Sequence, residues 1–135
     1  MRKRISVVFI AVVVVAVSTV VADAYSIEGE QLDDQKVFWG SASNFEKGGE
    51  VNYQDVVKAT PEYESIRKKK IQSGTAKYWI LISKASDHAI SEIAEVGQET
   101  DYDLVAAAGY LGSLDPPIPA DDITGLVLKK LKEDK

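Results

Sequence analysis

His88 is the only histidine in the chain, and it directly follows Ser86 and Asp87. These three residue types form the catalytic triad of many hydrolases, in which a histidine accepts the serine proton and a carboxylate orients the imidazole. A triad requires three side chains that converge on one point. Because adjacent residues of a helix point to different sides, we expect no catalytic site at these positions.

Carboxylates are the other side chains that could carry chemistry. Glu92 and Glu95 share one side of a predicted helix, where acidic pairs are usually solvated surface. One histidine and no cysteine leave no nitrogen–sulfur set for a metal, and the acidic residues lack calcium-loop spacing. The pair Gly48-Gly49 lacks the lysine and hydroxyl residue of a phosphate-binding loop. The sequence therefore predicts no catalytic residue, no cofactor and no metal site, and we expect no enzyme.

The first 24 residues have the three-part organisation of a secretory signal peptide. Basic residues at 2–4 precede an apolar run over 5–17, and the Ala-Asp-Ala sequence at 22–24 matches a cleavage site. We predict a periplasmic or otherwise exported protein that begins at Tyr25 after cleavage near Ala24. The alternative is an uncleaved anchor, because about 18 to 20 apolar residues can cross a bilayer. Without cysteine the chain cannot be a lipoprotein.

The exported part of the chain is acidic. Removing three basic residues and one Asp from the 16 basic and 21 acidic residues leaves 13 and 20, a formal charge of −7. This charge argues against a nucleic-acid partner, which requires clustered Lys and Arg. The length indicates one domain, and a domain of this size without disulfides buries a limited core, so we expect self-association.

Apolar spacing predicts the N-terminal elements. Residues 25–49 are polar and rich in glycine, which indicates an extended, partly ordered lead segment whose apolar residues 37–39 are held against the fold. Steps of three and four residues predict helices over 54–59 and 76–98. Another helix begins at Pro61, with the hydroxyl of Thr60 as its N-cap.

The C-terminal third completes an α+β domain over residues 50–135. We predict a strand over 104–108, a second extended piece around 110–111 and an open proline-rich connection. Asp121 or Asp122 is expected to cap the last helix, whose buried stripe is predicted to consist of Ile123, Val127 and Leu131. The expected fold class is a small strand core with a shortened antiparallel helical hairpin over about 61–100 and a C-terminal helix.

Two features near the turn of the hairpin are candidate contact surfaces. One is a basic run, which predicts either a weak contact with an anionic membrane surface or acidic client, or a solvated helix end. It comprises Arg67, Lys68, Lys69 and Lys70. The other is apolar, and it predicts either a client or intersubunit contact or an ordinary buried helix interface. It comprises Tyr78, Trp79, Ile80 and Leu81.

Short motifs along most of the chain resemble the Skp/OmpH family of periplasmic chaperones. Residues 51–57 and 59–63 are similar to the family's opening strand and helix starts. Residues 90–96 and 102–105 resemble the place where the returning helix meets a "GYDLV" strand, and 122–131 resemble the closing helix. The resemblance covers about residues 50–132.

This resemblance implies a homotrimer whose helical arms surround an unfolded outer-membrane protein without nucleotide. The expected function is that of an exported holdase chaperone. Two features depart from the family pattern, because two arms of roughly 20 residues reach only about 30 Å and the chain is acidic where family arms are rich in Lys and Arg. The alternative is a non-catalytic structural or interaction protein that keeps the oligomerising core but not the chaperone cavity.

Overall fold

The computed structural model describes residues 24–134 of the chain. The predicted signal peptide lies outside this range apart from its last residue, Ala24. Among the described residues, no helix combines the length and the apolar character needed to cross a bilayer.

The described chain has the predicted α+β composition, with a four-stranded sheet and four α-helices. The strands are β1 (Val37–Gly40), β2 (Gly48–Val51), β3 (Leu104–Ala107) and β4 (Ala120–Asp122). The helices are α1 (Tyr53–Ala59), α2 (Pro61–Lys68), α3 (Ala76–Glu99) and α4 (Thr124–Glu133). Short 3-10 helices occupy Asp34–Lys36 and Leu111–Ser113.

The sheet is mixed and has the order β1-β3-β2-β4. The central strands β2 and β3 are parallel, and β4 is parallel to β2 on the other side. The edge strand β1 is antiparallel to β3. Helices α1, α2 and α3 all lie between β2 and β3 in the chain, as the long connection between parallel strands requires.

Two apolar clusters cover the two faces of this sheet, and alternation along β3 separates them. Val105 contributes to the face that packs on the helices, with Val51, Val56, Ile93 and Val127 among its partners. Leu104 and Ala106 contribute to the opposite face. There they meet residues from the N-terminal segment and from the proline-rich connection, including Ile27, Phe45, Leu111 and Ile118.

Thr60 joins α1 to α2 as the sequence predicts. Its hydroxyl donates to the carbonyl of Val57 at 2.6 Å and accepts from the backbone N–H of Tyr63 at 3.3 Å. Pro61 then occupies the first turn of α2, where its missing N–H costs no helical bond. The side chain of Thr60 is fully buried, so this junction belongs to the core.

The N-terminal segment takes part in the fold. Residues 37–40 form β1, and the predicted boundary after residue 49 lies inside β2. Ile27 is only 6% exposed and Phe45 only 2% exposed. A backbone bridge between Tyr25 and Phe45 further ties the start of the described chain to the sheet face.

Two local predictions are wrong. The piece around residues 110–111 is not extended, because Gly109 turns the chain with φ +82° and a 3-10 helix then carries the buried Leu111 into the core. Asp121 and Asp122 belong to β4, so Ile123 occupies the N-cap position of α4. Asp122 still accepts a bond from the backbone N–H of Thr124 at 3.0 Å.

The hairpin formed by α2 and α3 has unequal arms. Its first arm has 8 residues and its second has 24, which correspond to about 12 Å and 36 Å. The prediction of two arms of similar length is therefore wrong. The reason is that α2 ends at Lys68, where Lys70 adopts a left-handed conformation with φ +50° and the chain turns into the connection before Ala76.

Candidate functional site

The first two turns of α3 carry the most exposed large apolar side chains of the described residues. Trp79 is 59% exposed and Ile80 is 56% exposed. Tyr78 and Leu81 are half-buried, and the ring of Tyr78 meets that of Trp79 edge-on at a centroid distance of 5.3 Å. Within this chain the predicted contact residues therefore do not form a closed helix interface.

The local structure holds these residues at the turn of the hairpin. Thr75 caps α3, because its hydroxyl accepts from the backbone N–H of Tyr78 at 3.2 Å and donates to the carbonyl of Gln72 at 2.8 Å. The far half of the same helix is fixed in the core through Ala85, Ala89 and Ile93, none of which is exposed. The apolar side chains thus stand on a helix that is anchored at its other end.

An apolar groove continues from this surface along α3. Ile82 lies three residues after Trp79 and therefore on a neighbouring side of the helix. It lines a groove of about 310 Å³ together with Tyr53, Gln54, Val57, Lys58, Tyr63 and Ser86. A larger hollow of about 650 Å³ adjoins it, since Tyr53 and Gln54 line both. That hollow reaches Phe38 on the edge strand and the exposed Ile90.

Tyr53 holds the wall between the two hollows. Its ring stacks on that of Phe38, with centroids 5.2 Å apart and planes inclined by 25°. Its hydroxyl is hydrogen-bonded to the hydroxyl of Ser86 on α3. The wall is therefore tied to β1 and to α3.

The structure separates the residues of the apparent triad. Ser86 bonds to Tyr53, and Asp87 is exposed. The Nδ1 atom of His88 lies 3.0 Å from Oε2 of Glu62, and this hydrogen bond raises the pKa of His88 against the opposing effect of burial. Burial alone would raise the pKa of Glu62, but its bonds to His88 and to its own backbone outweigh this effect, so the pKa is lowered. This geometry supports an ion pair between α2 and α3.

Glu92 is not the solvated residue that the sequence predicts. It is only 5% exposed, and its Oε1 lies 3.4 Å from Nε2 of His88. Burial raises its pKa, and the neighbouring carboxylate of Asp134 raises it further. Spacing within α3 could not reveal this environment, because Asp134 comes from the end of α4 and only the packing of the two helices brings it near.

The basic run lies at the end of α2 and in the turn that follows. Arg67 and Lys68 belong to the last turn of the helix, Lys69 is its C-cap, and all four residues of the run are exposed. This position suits cations, because the carbonyl end of a helix carries partial negative charge.

The site as a whole is suited to binding through apolar contact. Its surface consists of exposed apolar side chains at the turn of the hairpin and of the groove that continues from them. Comparison of the chain with protein-family models, curated proteins and solved structures gives no match.

Proposed function

We propose that this chain is an exported, non-catalytic protein-binding factor that holds unfolded outer-membrane proteins by apolar contact and without nucleotide. The observation that carries this proposal is the exposure of Trp79 and Ile80 on a helix whose other half is buried. Full burial of a large apolar side chain contributes about 1.5–3 kcal/mol, so covering the exposed halves of these two contributes roughly 2–3 kcal/mol. Such a contact is weak and non-directional, which suits clients without a fixed structure.

A homotrimer of the Skp/OmpH type is part of the proposal. A weak apolar contact becomes effective when several copies act on one client, because the second contact is then intramolecular. The described chain has two strands, two short helices, a long helix, two further strands and a last helix in that order, and the helices inserted between the strands support this part of the proposal. The mass of the purified protein, measured by light scattering at several concentrations, tests this point, and a stable monomer contradicts it.

An aggregation assay tests the function. A urea-unfolded outer-membrane β-barrel protein is diluted into buffer with equimolar purified protein, and light scattering follows its aggregation. We expect the wild-type protein to suppress aggregation and the double variant Trp79→Ala, Ile80→Ala to lose most of the effect. Leu126→Ala is the matched control, because Leu126 is 48% exposed on α4 beside the C-terminal end of α3, at the opposite end of that helix from Trp79 and Ile80. Equal suppression by the wild type and the double variant would show that Trp79 and Ile80 do not bind the client, and would contradict the proposal.

The short projecting part of the hairpin favours a second candidate, an interaction protein that binds one fixed partner. In α3 only residues 76–84 precede the first fully buried residue, Ala85, so the projecting part is roughly 13 Å long. Arms of that length enclose little volume around an unfolded client. An oligomer that leaves aggregation unchanged, yet captures a folded envelope protein through Trp79, would support this candidate over the holdase.

The basic run is proposed to make a weak accompanying contact with an anionic membrane surface. Each Lys or Arg near such a surface contributes about 1 kcal/mol at most, and salt screens the attraction. We expect partial sedimentation with anionic phospholipid vesicles at low salt, and a loss of it when Lys68, Lys69 and Lys70 are changed to Gln. Sedimentation that does not depend on salt or on these residues would leave the run as a solvated helix end.

A further inference from the structure

A buried carboxylate oxygen without a hydrogen-bond donor lies between α3 and α4. Glu92 is 95% buried, and its Oε1 faces the imidazole of His88 at 3.4 Å. Its Oε2 is inaccessible to solvent and has no hydrogen-bond partner among the described residues. An unpaired buried carboxylate oxygen is costly, because it has lost water and gained no donor. A proton or a bound cation would remove this cost.

Two further carboxylates meet Glu92 at this place. One oxygen each of Glu92, Glu95 and Asp134 lies within 4.8 Å of the other two. Glu95 and Asp134 are exposed, so solvent reaches the cluster from one side. Asp134 directly follows the last residue of α4, where the partial negative charge of the helix end adds to that of the three side chains.

The ammonium group of Lys130 binds at one side of the cluster. The Nζ atom of Lys130 lies 3.0 Å from Glu99 and 3.3 Å from Glu95. It can therefore remain bound to Glu99 when Glu95 takes another ligand. Lys130 offsets part of the charge, but it does not provide a donor for Oε2 of Glu92.

We propose that Glu92, Glu95 and Asp134 bind a divalent cation of the calcium class between α3 and α4. Calcium binds oxygen ligands at 2.3–2.6 Å, so oxygens on opposite sides of the ion are about 4.6–5.2 Å apart. One oxygen from each of the three carboxylates lies within 4.8 Å of the other two, so all three can contact one such ion without movement of the helices. Magnesium demands near-ideal octahedral geometry and usually takes only one or two carboxylates, and zinc favours nitrogen and sulfur ligands. Water completes the coordination on the exposed side.

The cation would hold the end of α4 against α3. This role does not depend on the exposed Trp79 and Ile80 or on the binding of a client. Because two of the three ligands are exposed, the affinity belongs in the range of extracellular calcium modules, with a Kd of about 10⁻⁴–10⁻³ M. This point rests on the export proposed above, since proteins outside the cytoplasm meet calcium at such concentrations.

Calorimetry and thermal unfolding of the purified protein test the proposal. The protein is freed of metal with a chelator, dialysed, and titrated with CaCl2 up to 10 mM at pH 7 and constant ionic strength. We expect one saturable site and a rise in Tm of about 4 °C or more at 10 mM. Asp134→Asn should weaken binding at least tenfold, and this variant should fold because Asp134 is exposed.

Glu133→Gln is the matched control, since it removes the same charge from the adjacent exposed residue and should leave binding unchanged. Absence of saturable binding up to 10 mM would overturn the proposal. A proton on Glu92 would then be what removes the cost of its unpaired buried oxygen. Equal binding by Asp134→Asn and wild type would overturn it as well, because diffuse surface charge would then explain the effect. Tighter binding of MgCl2 than of CaCl2 would overturn the assignment to the calcium class.

Discussion

The indole ring of Trp39 lies directly against Gly97 of α3. A Cβ atom added to Gly97 would come within 2.4 Å of Cε3 and 2.5 Å of Cδ2 of the indole, distances that real Cβ atoms do not show. The missing side chain at residue 97 is therefore what lets the edge strand β1 pack on the helix. It also explains a glycine near the end of a long helix, where alanine would otherwise be preferred.

Gly97→Ala should destabilise the protein. Helix propensity alone predicts a gain of about 1 kcal/mol, but overpacking against Trp39 costs typically 1–3 kcal/mol, so we expect a net loss of about 1 kcal/mol. Urea unfolding followed by circular dichroism measures the change. Gly125→Ala in α4 is the control, because nothing lies within 4 Å of a Cβ at that position and a gain of a few tenths of a kcal/mol is expected. A stabilising Gly97→Ala would show that the indole is not seated there.

Lys70→Gly should stabilise the end of α2. Lys70 has φ +50°, and the N–H of Ile71 bonds to the carbonyl of Ile66 at 3.0 Å, which is the pattern of a Schellman cap. A non-glycine residue in the left-handed region costs about 1 kcal/mol, so we expect a gain of roughly 0.5–1 kcal/mol in thermal unfolding. Lys69→Gly is the contrasting variant. Because φ of Lys69 is −88°, glycine relieves no strain there and only raises the conformational entropy of the unfolded chain. A loss of stability in Lys70→Gly would contradict the cap.

Asp103 should hold the segment that leads into β2. Its Oδ2 accepts from the backbone N–H groups of Glu46 at 3.0 Å and Lys47 at 3.2 Å. Asp103→Ala removes the acceptor, and we expect a loss of about 1 kcal/mol in the free energy of unfolding. Asp103→Asn keeps a carbonyl oxygen and should retain most of the stability. If both variants unfold like the wild type, the two bonds contribute nothing to the sheet.

Asp122 should make α4 sensitive to acid. Two groups of Thr124 donate to Oδ1 of Asp122, the hydroxyl at 2.6 Å and the backbone N–H at 3.0 Å. These bonds lower the pKa of Asp122 below its ordinary value of 3.8. Since the pKa is lower in the folded state, the contribution is complete above the unfolded pKa and is lost as pH falls through the folded one. The effect is small, because solvent screens this exposed group.

Carboxyl NMR measures the titration of Asp122 directly. In Thr124→Ala the pKa should rise toward its ordinary value, because the stronger of the two bonds is gone. As the pH falls from 5 to 2, the free energy of unfolding should decrease less in Asp122→Ala than in the wild type. An unchanged pKa in Thr124→Ala would contradict the hydrogen bond seen in the structure.

Signals within one or two helical turns could be predicted from the sequence. The junction at Thr60 and Pro61 depends on one hydroxyl and one ring, and both act within three residues. The stripe of Ile123, Val127 and Leu131 is likewise buried as the spacing indicates. These predictions are confirmed because the physical causes are local.

The edge strands β1 and β4 depend on distant partners, and the sequence does not indicate them as strands. Val37 pairs with Ala106, and Asp121 pairs with Gly49, each about 70 residues away. Short polar or glycine-rich segments have little preference of their own, so the pairing decides their conformation. The same holds for Leu111, whose burial follows from its place in the second core.

The sequence by itself determined on which side of α3 each apolar and acidic side chain lies. Only the tertiary structure decided which of these side chains are exposed to solvent. Helical spacing could not show that Trp79 stays uncovered while Glu92 is enclosed. The reason is that spacing specifies the sides of a helix but not what packs on each side. The short α2 ends before it could cover the start of α3, and α4 brings Asp134 to Glu92 from 42 residues away.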